Sequence, residues 1–423
     1  MTFLLDDKIK LEQTAQTTAF ARLRTAEARL LGEYRYMYGQ GTVNEVADKL
    51  EGSGTIVPDF ARNCFLAQVG TTSGDRVVRQ TRQYHPYISG TSTLGLITFV
   101  MNQAKTGLTQ EVGMFDDLNG FFLRVRDNVT ELVIRKNGVD TEVVAQTAWN
   151  GDRLDGSMNR FNKSGFLADW SKAQILVIDY QWLGVGKVRF GLVLGDEIVT
   201  IHTFYHSNVT TEVYTNQPSL PFRWEIKNTS TTASSSELMV ICASAYCEGA
   251  DYETGFSRGI STDGTTVPVT TANATEGRGI LAIRLKNSLQ GKQVKALARL
   301  KNASIITNND INYKVVILNG SSALSGTPTW TSVPGYGWCE YIKDFALATG
   351  WASANQYQVI VDDFAIGGQG NQIGTLQSDQ FVNRSTAIYQ NYDSTDSQIL
   401  AIIGYRLAAD ATVRATLKWT EVK

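Results

Sequence analysis

Histidine is almost missing from this chain, with 3 in 423 residues. So few leave little room for a histidine metal centre or for imidazole acid–base chemistry near neutral pH. Cysteine is as thin: 4 widely scattered residues exclude a disulfide framework and fit reduced, mostly buried thiols. No apolar run approaches the ~20 residues that span a bilayer, so no membrane insertion is expected. The opening Met1–Leu5 is apolar only over Phe3, Leu4 and Leu5 before it meets Asp6, Asp7 and Lys8. That is too short for a signal-peptide core, and synthesis in a cytoplasm is expected. An excess of either charge is lacking too: 39 Lys and Arg against 41 Asp and Glu give a net −2. Such a balance supplies no global reason to bind nucleic acid or an anionic membrane. With 7 Pro, 37 Gly, 43% hydrophobic and 19% charged residues, the profile is globular, which excludes collagen and wholesale disorder. At roughly 150 residues per domain the length predicts two or three domains.

What is present falls into a helical front and a long β-patterned remainder. From Lys8 to Met37 there is no Pro and a single glycine, Gly32. Ala19, Leu23, Ala26, Leu30, Tyr34 and Met37 recur at spacings of three and four and predict one apolar stripe on a helix, opposite Arg22, Arg24, Arg29 and Glu33. Gly32 is unfavourable in a helix interior, and Gly39 and Gly41 end it. The stripe either packs on its own domain or forms an arm that self-associates or docks on a partner. In the second case Leu23, Ala26, Leu30, Tyr34 and Met37 are the candidate assembly contacts. Thr42 and Glu45 read as a capping box for a second, short helix with Val46 and Leu50 on its apolar face.

Beyond Gly54 the period changes to two. Residues 131–145 predict a hairpin through Asn137-Gly138, a pair suited to a type I′ turn. Runs 173–179, 187–194 and 197–205 predict a three-strand meander, and 221–226 and 237–244 two further strands of the same layer. Residues 259–279, rich in Thr, Gly, Asn and Ala, read as a linker. After it, β patterning resumes at 279–285, 294–300, 312–318, 356–361, 397–404 and 412–420. The expected fold is mainly β: a helical arm over 1–53, an antiparallel, jelly-roll-like β-sandwich over 54–258, the linker, and a second sandwich over 280–423.

Sites for chemistry are few. His202 and His206 would share a helix face, but their β-rich setting puts them on a strand, about 13 Å apart. That separation is too great for one zinc, whose ligands lie at about 2 Å. Cys242 and Cys247, five apart, point to opposite strand faces, and Cys64 and Cys339 stand alone. No metal or cofactor is expected. Asp116-Asp117, Asp152 with Asp155, and Asp362-Asp363 are carboxylate pairs of the kind glycoside hydrolysis uses at roughly 5 to 9.5 Å, although 41 acids supply such pairs by chance. Gly367–Gly374 is glycine-rich but lacks the Lys-Ser/Thr of a P-loop, and a plain turn is expected. Asn128-Val129-Thr130 and Asn208-Val209-Thr210 are chance sequons in a Thr-rich chain.

Aromatic residues are the positive signal. Tyr34, Tyr36 and Tyr38 alternate, Trp182, Trp330 and Trp338 lie in or beside predicted loops, and Tyr84, His85 and Tyr87 cluster around Pro86. These last three are the candidate surface contacts, since Tyr and Trp bury area at low entropic cost.

Segments Arg79–Gly90, Gly113–Arg124, Asp169–Gly186, Leu281–Lys286 and Thr327–Val333 resemble a family of virion structural proteins, mainly of marine tailed bacteriophages and cyanophages. The block Gln181-Trp182-Leu183-Gly184-Val185-Gly186 is the most specific part, and the likeness runs from about Arg79. The resemblance implies a non-enzymatic, multi-copy component of the particle and transfers no catalytic residue. The expectation is a homo-oligomeric capsid fibre, decoration or receptor-binding protein in the virion. The arm would attach it to other virion proteins, with a host glycan or receptor as a possible partner. The alternatives are a tailspike-like polysaccharide-degrading enzyme and a pure carbohydrate-binding tail module.

Overall fold

The computed structural model describes residues 27–36, 45–195, 197–249, 255–335, 337–352, 357–367 and 386–422. The described chain divides into two compact units. One draws on residues 1–41, 48–81 and 85–251, the other on 42–47, 82–84 and 252–423. Among the described residues the regular structure is strand, broken by three short 3-10 turns, and every ladder is antiparallel.

Unit 1 is a two-sheet sandwich. Its strands are β1 (Ala28–Arg35), β2 (Val46–Glu51), β3 (Thr55–Asp59), β4 (Cys64–Val69), β5 (Arg76–Thr81), β6 (Thr93–Val100), β7 (Leu108–Phe115) and β8 (Gly120–Arg126). They continue with β9 (Val129–Lys136), β10 (Val139–Ala145), β11 (Gln174–Tyr180), β12 (Val188–Leu194), β13 (Glu197–Phe204), β14 (Phe222–Asn228) and β15 (Ser236–Glu248). An eight-stranded sheet runs β13-β12-β11-β6-β15-β4-β3, with β1 also on β15, and a seven-stranded sheet runs β10-β9-β8-β7-β14-β5-β2. β14 lies against β4 and β15, and β7 against β6 and β11. Between the sheets sit Ile97, Phe99, Val112, Phe121, Leu176, Phe190, Trp224 and Val240, all fully buried. The predicted hairpin is β9–β10, with Asn137 and Gly138 both at positive φ, and the meander is β11–β12–β13. The two further strands part company: β15 joins the meander's sheet and β14 the other.

The helical expectation fails over Ala28–Arg35, which is a strand, and over Val46–Glu51, also a strand; residues 1–26 and 37–44 lie outside the described residues. The reason is an edge. β4 pairs β15 only over Ser236–Val240, so the same edge from Cys242 to Glu248 needs another partner, and β1 supplies it. Unmade backbone hydrogen bonds outweigh the small helix propensities of Ala, Leu and Glu. Leu30 and Tyr34 fit periods of both 3.6 and 2. Gly32 decides between them, because a Cβ there would lie 2.1 Å from the His85 ring. Tyr34 then turns inward, 5.3 Å from the Trp224 ring. Its hydroxyl accepts from Arg79 at 3.1 Å, while Asp48 takes the same guanidinium in a fork at 2.9 and 2.6 Å.

Unit 2 comprises β16 (Gly255–Ser261), β17 (Val267–Val269), β18 (Arg278–Leu285), β19 (Ser288–Leu289), β20 (Lys292–Gln293), β21 (Leu297–Thr307) and β22 (Ile311–Leu318). It ends with β23 (Thr331–Ser332), β24 (Cys339–Phe345), β25 (Tyr357–Ala365), β26 (Ala387–Ile388), β27 (Ile399–Arg406) and β28 (Ala411–Val422). A five-stranded sheet runs β16-β28-β21-β26, with β17 also on β28; a six-stranded sheet runs β23-β24-β18-β27-β22-β25. The expected linker 259–279 is thus largely built into the fold, holding the end of β16 and all of β17. β18, β22 and β27 bury both faces. Val315, Ile317, Leu400 and Ile402 enter the core under the five-stranded sheet, while Val316, Leu318, Ala401 and Ile403 pack with Leu324, Leu347 and Trp351 on the other side. Double-sided burial explains why these strands read as continuous apolar runs.

The outward face of unit 1's seven-stranded sheet is charged. Arg223, Glu225 and Lys227 alternate along β14; Glu225 accepts from Arg223 at 2.5 Å and Arg76 at 2.8 Å, and Lys227 reaches Glu111 at 3.1 Å. Arg124 binds Glu131 at 2.8 Å and Asp140 at 2.6 Å. Arg223 and Arg135 lie over the stacked Phe115–Phe122 pair, 5.0 and 4.8 Å from the ring centroids. Burial pushes the Glu225 carboxyl up, but Arg223, Lys227 and Arg76 overcome it and hold the group well below the usual carboxylate range. Glu225→Gln, which removes the buried acid shared by Arg223, Arg76 and Lys227, is expected to lower unfolding free energy by about 3 kcal/mol in urea titration. Arg126→Gln, at a rim site whose side chain is 48% exposed, should change it by less than about 1 kcal/mol.

Candidate functional site

The turn between β11 and β12 sits at one end of unit 1 and is built to be rigid. Leu183 and Gly184 take φ of 36° and 84°, and the Gly186 N–H donates to Trp182 O at 2.8 Å. A Cβ on Gly186 would lie 2.1 Å from Gln181 O, so the turn closes only on glycine. The segment after β13 clamps it. Tyr214 donates its N–H to Gly184 O at 3.1 Å and its hydroxyl to Gln181 O at 2.9 Å. The Trp182 indole donates to Thr215 O at 2.9 Å, its backbone N–H to the Tyr87 hydroxyl at 3.2 Å, and Tyr180 donates to Pro218 O at 2.7 Å. His206 stacks on Tyr214 at 4.0 Å and 11°, with Nδ1 against Gly186 O and Nε2 2.9 Å from Glu142 Oε1. Tyr87, Tyr180, Phe121 and Tyr214 complete the aromatic base.

Hydrogen bonds hold this base together. Burial raises the phenols of Tyr87, Tyr180 and Tyr214, so each stays protonated and serves as a hydrogen-bonding group rather than a base. Above it stand apolar tips: Leu183 is 51% exposed, Val185 38%, Tyr205 52% and Val209 71%. A fixed aromatic support under exposed apolar side chains suits contact with another molecule.

The residues singled out from sequence scatter. Leu23, Ala26 and Met37 lie outside the described residues. Leu30 is on β1 opposite Tyr246 and 40% exposed, and Tyr34 is internal, so the two do not form a helical assembly stripe. Tyr84 and His85 are buried rather than surface contacts: Tyr84 lies under Lys295 in unit 2, and His85 packs on Phe222 in unit 1. Tyr87, half-buried, belongs to the aromatic base. Trp330 is covered by the Arg284 guanidinium at 4.4 Å, and Trp338 meets Phe256 edge-on.

The carboxylate pairs are engaged separately. Asp116 accepts the backbone N–H groups of Leu118 and Asn119, Asp117 pairs with Arg223, and Asp152 accepts from Leu154 and Ser164. Hydrogen bonds from Ser157 and Asn162 hold the Asp155 carboxyl below its usual range, as those from Asn312 and Lys314 do for Asp362 on the edge strand β25. Neither is tuned as a general acid. Cys64, Cys247 and Cys339 are buried free thiols, and Cys242 is half-buried beside the Thr98 hydroxyl. Only Gly367 of the glycine-rich segment is described; its N–H donates to Asp310 at 2.8 Å.

No family model matches the chain, and no curated protein does. Solved structures similar to it include a protein of unknown function from Shewanella oneidensis MR-1, at 9% identity over 56% of this chain and 92% of that one, TM-score 0.35. Another is the CBM2 module of the evolved Dit of Lactobacillus casei BL23 phage J-1, at 9% identity over 54% and 99%, TM-score 0.34. A third is winged bean acidic lectin with methyl-α-D-galactose, at 8% identity over 53% and 100%, TM-score 0.32.

His202 lies on β13 and His206 two residues past its end, not on one strand as expected, and the two have separate partners. His202 Nδ1 accepts the Asn150 N–H at 3.1 Å, while Asn150 clasps Thr203 through both side-chain atoms at 2.9 Å. Gly151 and Asp152 donate to Ile201 and Thr200, so residues 150–152 cover the outer edge of β13. Burial pushes His202 down to about 4 from 6.5. The folded state therefore takes up this proton later than the unfolded state. The contribution is complete above about pH 6.5 and is lost as pH falls toward 4, up to about 3 kcal/mol. Thermal melts of the wild type and His202→Asn across that window check this: the wild type should lose stability more steeply on acidification, because a protonated Nδ1 can no longer accept from Asn150.

Proposed function

We propose that the chain is a non-enzymatic structural and recognition component of a tailed-phage particle, present in many copies. In this reading the 181–187 turn and the 205–216 segment form its contact end. The observation that carries it is the clamped aromatic base with Leu183 and Val185 exposed above it. The same turn holds the most specific block of the phage-like resemblance. His202, His206 and the paired aspartates are engaged in fixing local structure, which fits a module that binds rather than reacts.

Mass spectrometry of purified particles of the phage encoding the chain should find it at many copies per particle; its absence from particles overturns the reading. Leu183→Ser combined with Val185→Ser leaves the fold intact, since both side chains are exposed, and should weaken adsorption of the purified protein to host cells by about tenfold. Unchanged adsorption overturns the assignment of the contact end. Release of reducing sugar from host polysaccharide by the wild-type protein overturns the non-enzymatic reading.

A further inference from the structure

The outward face of unit 2's five-stranded sheet differs from the charged face of unit 1, because its rows hold cations and no acid among the described residues. Along β28 the inward residues are Val413, Ala415, Leu417 and Trp419, all buried. The alternate positions Thr412, Arg414, Thr416, Lys418 and Thr420 therefore share the opposite face. Register extends that face across three strands. Ser257, Thr420 and Arg299 form one row, Gly259, Lys418 and Asn302 the next, then Ser261, Thr416 and Ser304, with Arg414 opposite Ile306. Lys301, at the bulge of β21, adds a fourth cation and donates to Ser257 Oγ at 3.0 Å. Arg414 and Lys418 are exposed and are paired with no carboxylate among the described residues. The Lys418 stem passes over Gly259, where a Cβ would lie 3.4 Å from its Cγ. Within the first row, the Thr420 hydroxyl is buried at 3% exposure and has no hydrogen-bond partner among the described residues.

We propose that this face binds an acidic glycan, a polysaccharide bearing carboxylate or sulfate groups. Charge complementarity selects the sign: Lys301, Arg414 and Lys418 stand on one sheet face whose described rows hold no Asp or Glu, in a chain whose net charge is −2. Spacing selects the class. Arg414 and Lys418 lie about 13 Å apart at ~3.4 Å per residue, with the hydroxyls of Thr416, Ser261 and Ser304 between them. Duplex DNA presents a charge about every 1.7 Å and calls for denser cations. A chain with one charge per sugar or two matches sparse cations, and its hydroxyls match the Ser and Thr side chains. The inference uses a different face from the contact end of unit 1 and stands without that reading.

The test is binding of the full chain to alginate, neutral dextran and a short DNA duplex at low and high salt. Alginate should bind, weaken as salt rises, and exceed both dextran and DNA. Arg414→Gln with Lys418→Gln, both exposed, should weaken alginate binding by more than about tenfold with an unchanged circular dichroism spectrum. A control, Arg160→Gln with Lys163→Gln in unit 1, should bind as the wild type does. Failure of the wild type to bind alginate, or equal binding by the Arg414/Lys418 variant, overturns the site. Tighter binding to DNA than to alginate overturns the glycan assignment.

Discussion

A strand edge inside a folded protein must find hydrogen-bond partners, and in unit 1 that requirement decides what several segments become. β15 is 13 residues long, longer than β4 can cover, and the uncovered stretch draws in β1. At the opposite end of the same sheet, the edge of β13 is covered by Asn150, Gly151 and Asp152 rather than by a strand. The covering segment is held by His202 and Thr203, so a histidine that could be mistaken for a ligand serves the edge instead. Packing follows from this pairing. With β1 in place, Tyr34 reaches Arg79, and Arg79 lies over the Phe65 ring at 3.8 Å while holding Asp48.

The charged face of unit 1's seven-stranded sheet and the outward face of β28 in unit 2 use charge in opposite ways. Unit 1 neutralises its ions internally: Glu225, Glu111 and Glu131 are each met by Arg or Lys, and the guanidinium planes cover the Phe115–Phe122 pair. Such a face is closed to a charged ligand, because every approach must first break a paired ion. In unit 2 the cations of β28, Arg414 and Lys418, are exposed beside hydroxyl groups.

Much of the β architecture is legible in the sequence because it rests on local signals. Asn137-Gly138 sets its own turn, and the meander from Gln174 to Phe204 is punctuated by glycine. The front of the chain misleads because Leu30 and Tyr34 satisfy two periods at once, and the partner that decides between them lies more than two hundred residues away on β15. Gly32 was the local sign against a helix, and Tyr34 with Tyr36 the sign for a strand. The split of β14 and β15 between sheets is likewise set by long-range pairing that no window reveals. At the candidate site, Tyr87 and Trp182 could be read from their aromatic character. Tyr214 and the role of His206 could not, since their partners are carbonyl oxygens on the 181–187 turn.

β28 is central to the five-stranded sheet, bonded to β16 and β17 along one side and to β21 along the other, and it is the last strand described in chain order. A nascent polypeptide leaving the ribosome has every strand of unit 1 available once β15 has emerged, and that unit can close while translation continues. β16, β17 and β21 must wait with their bonding edges open until β28 is synthesised. Those edges, open for roughly 8–35 s at about 5–20 residues per second, are where a chaperone would bind, and where neighbouring chains on one polysome could exchange strands.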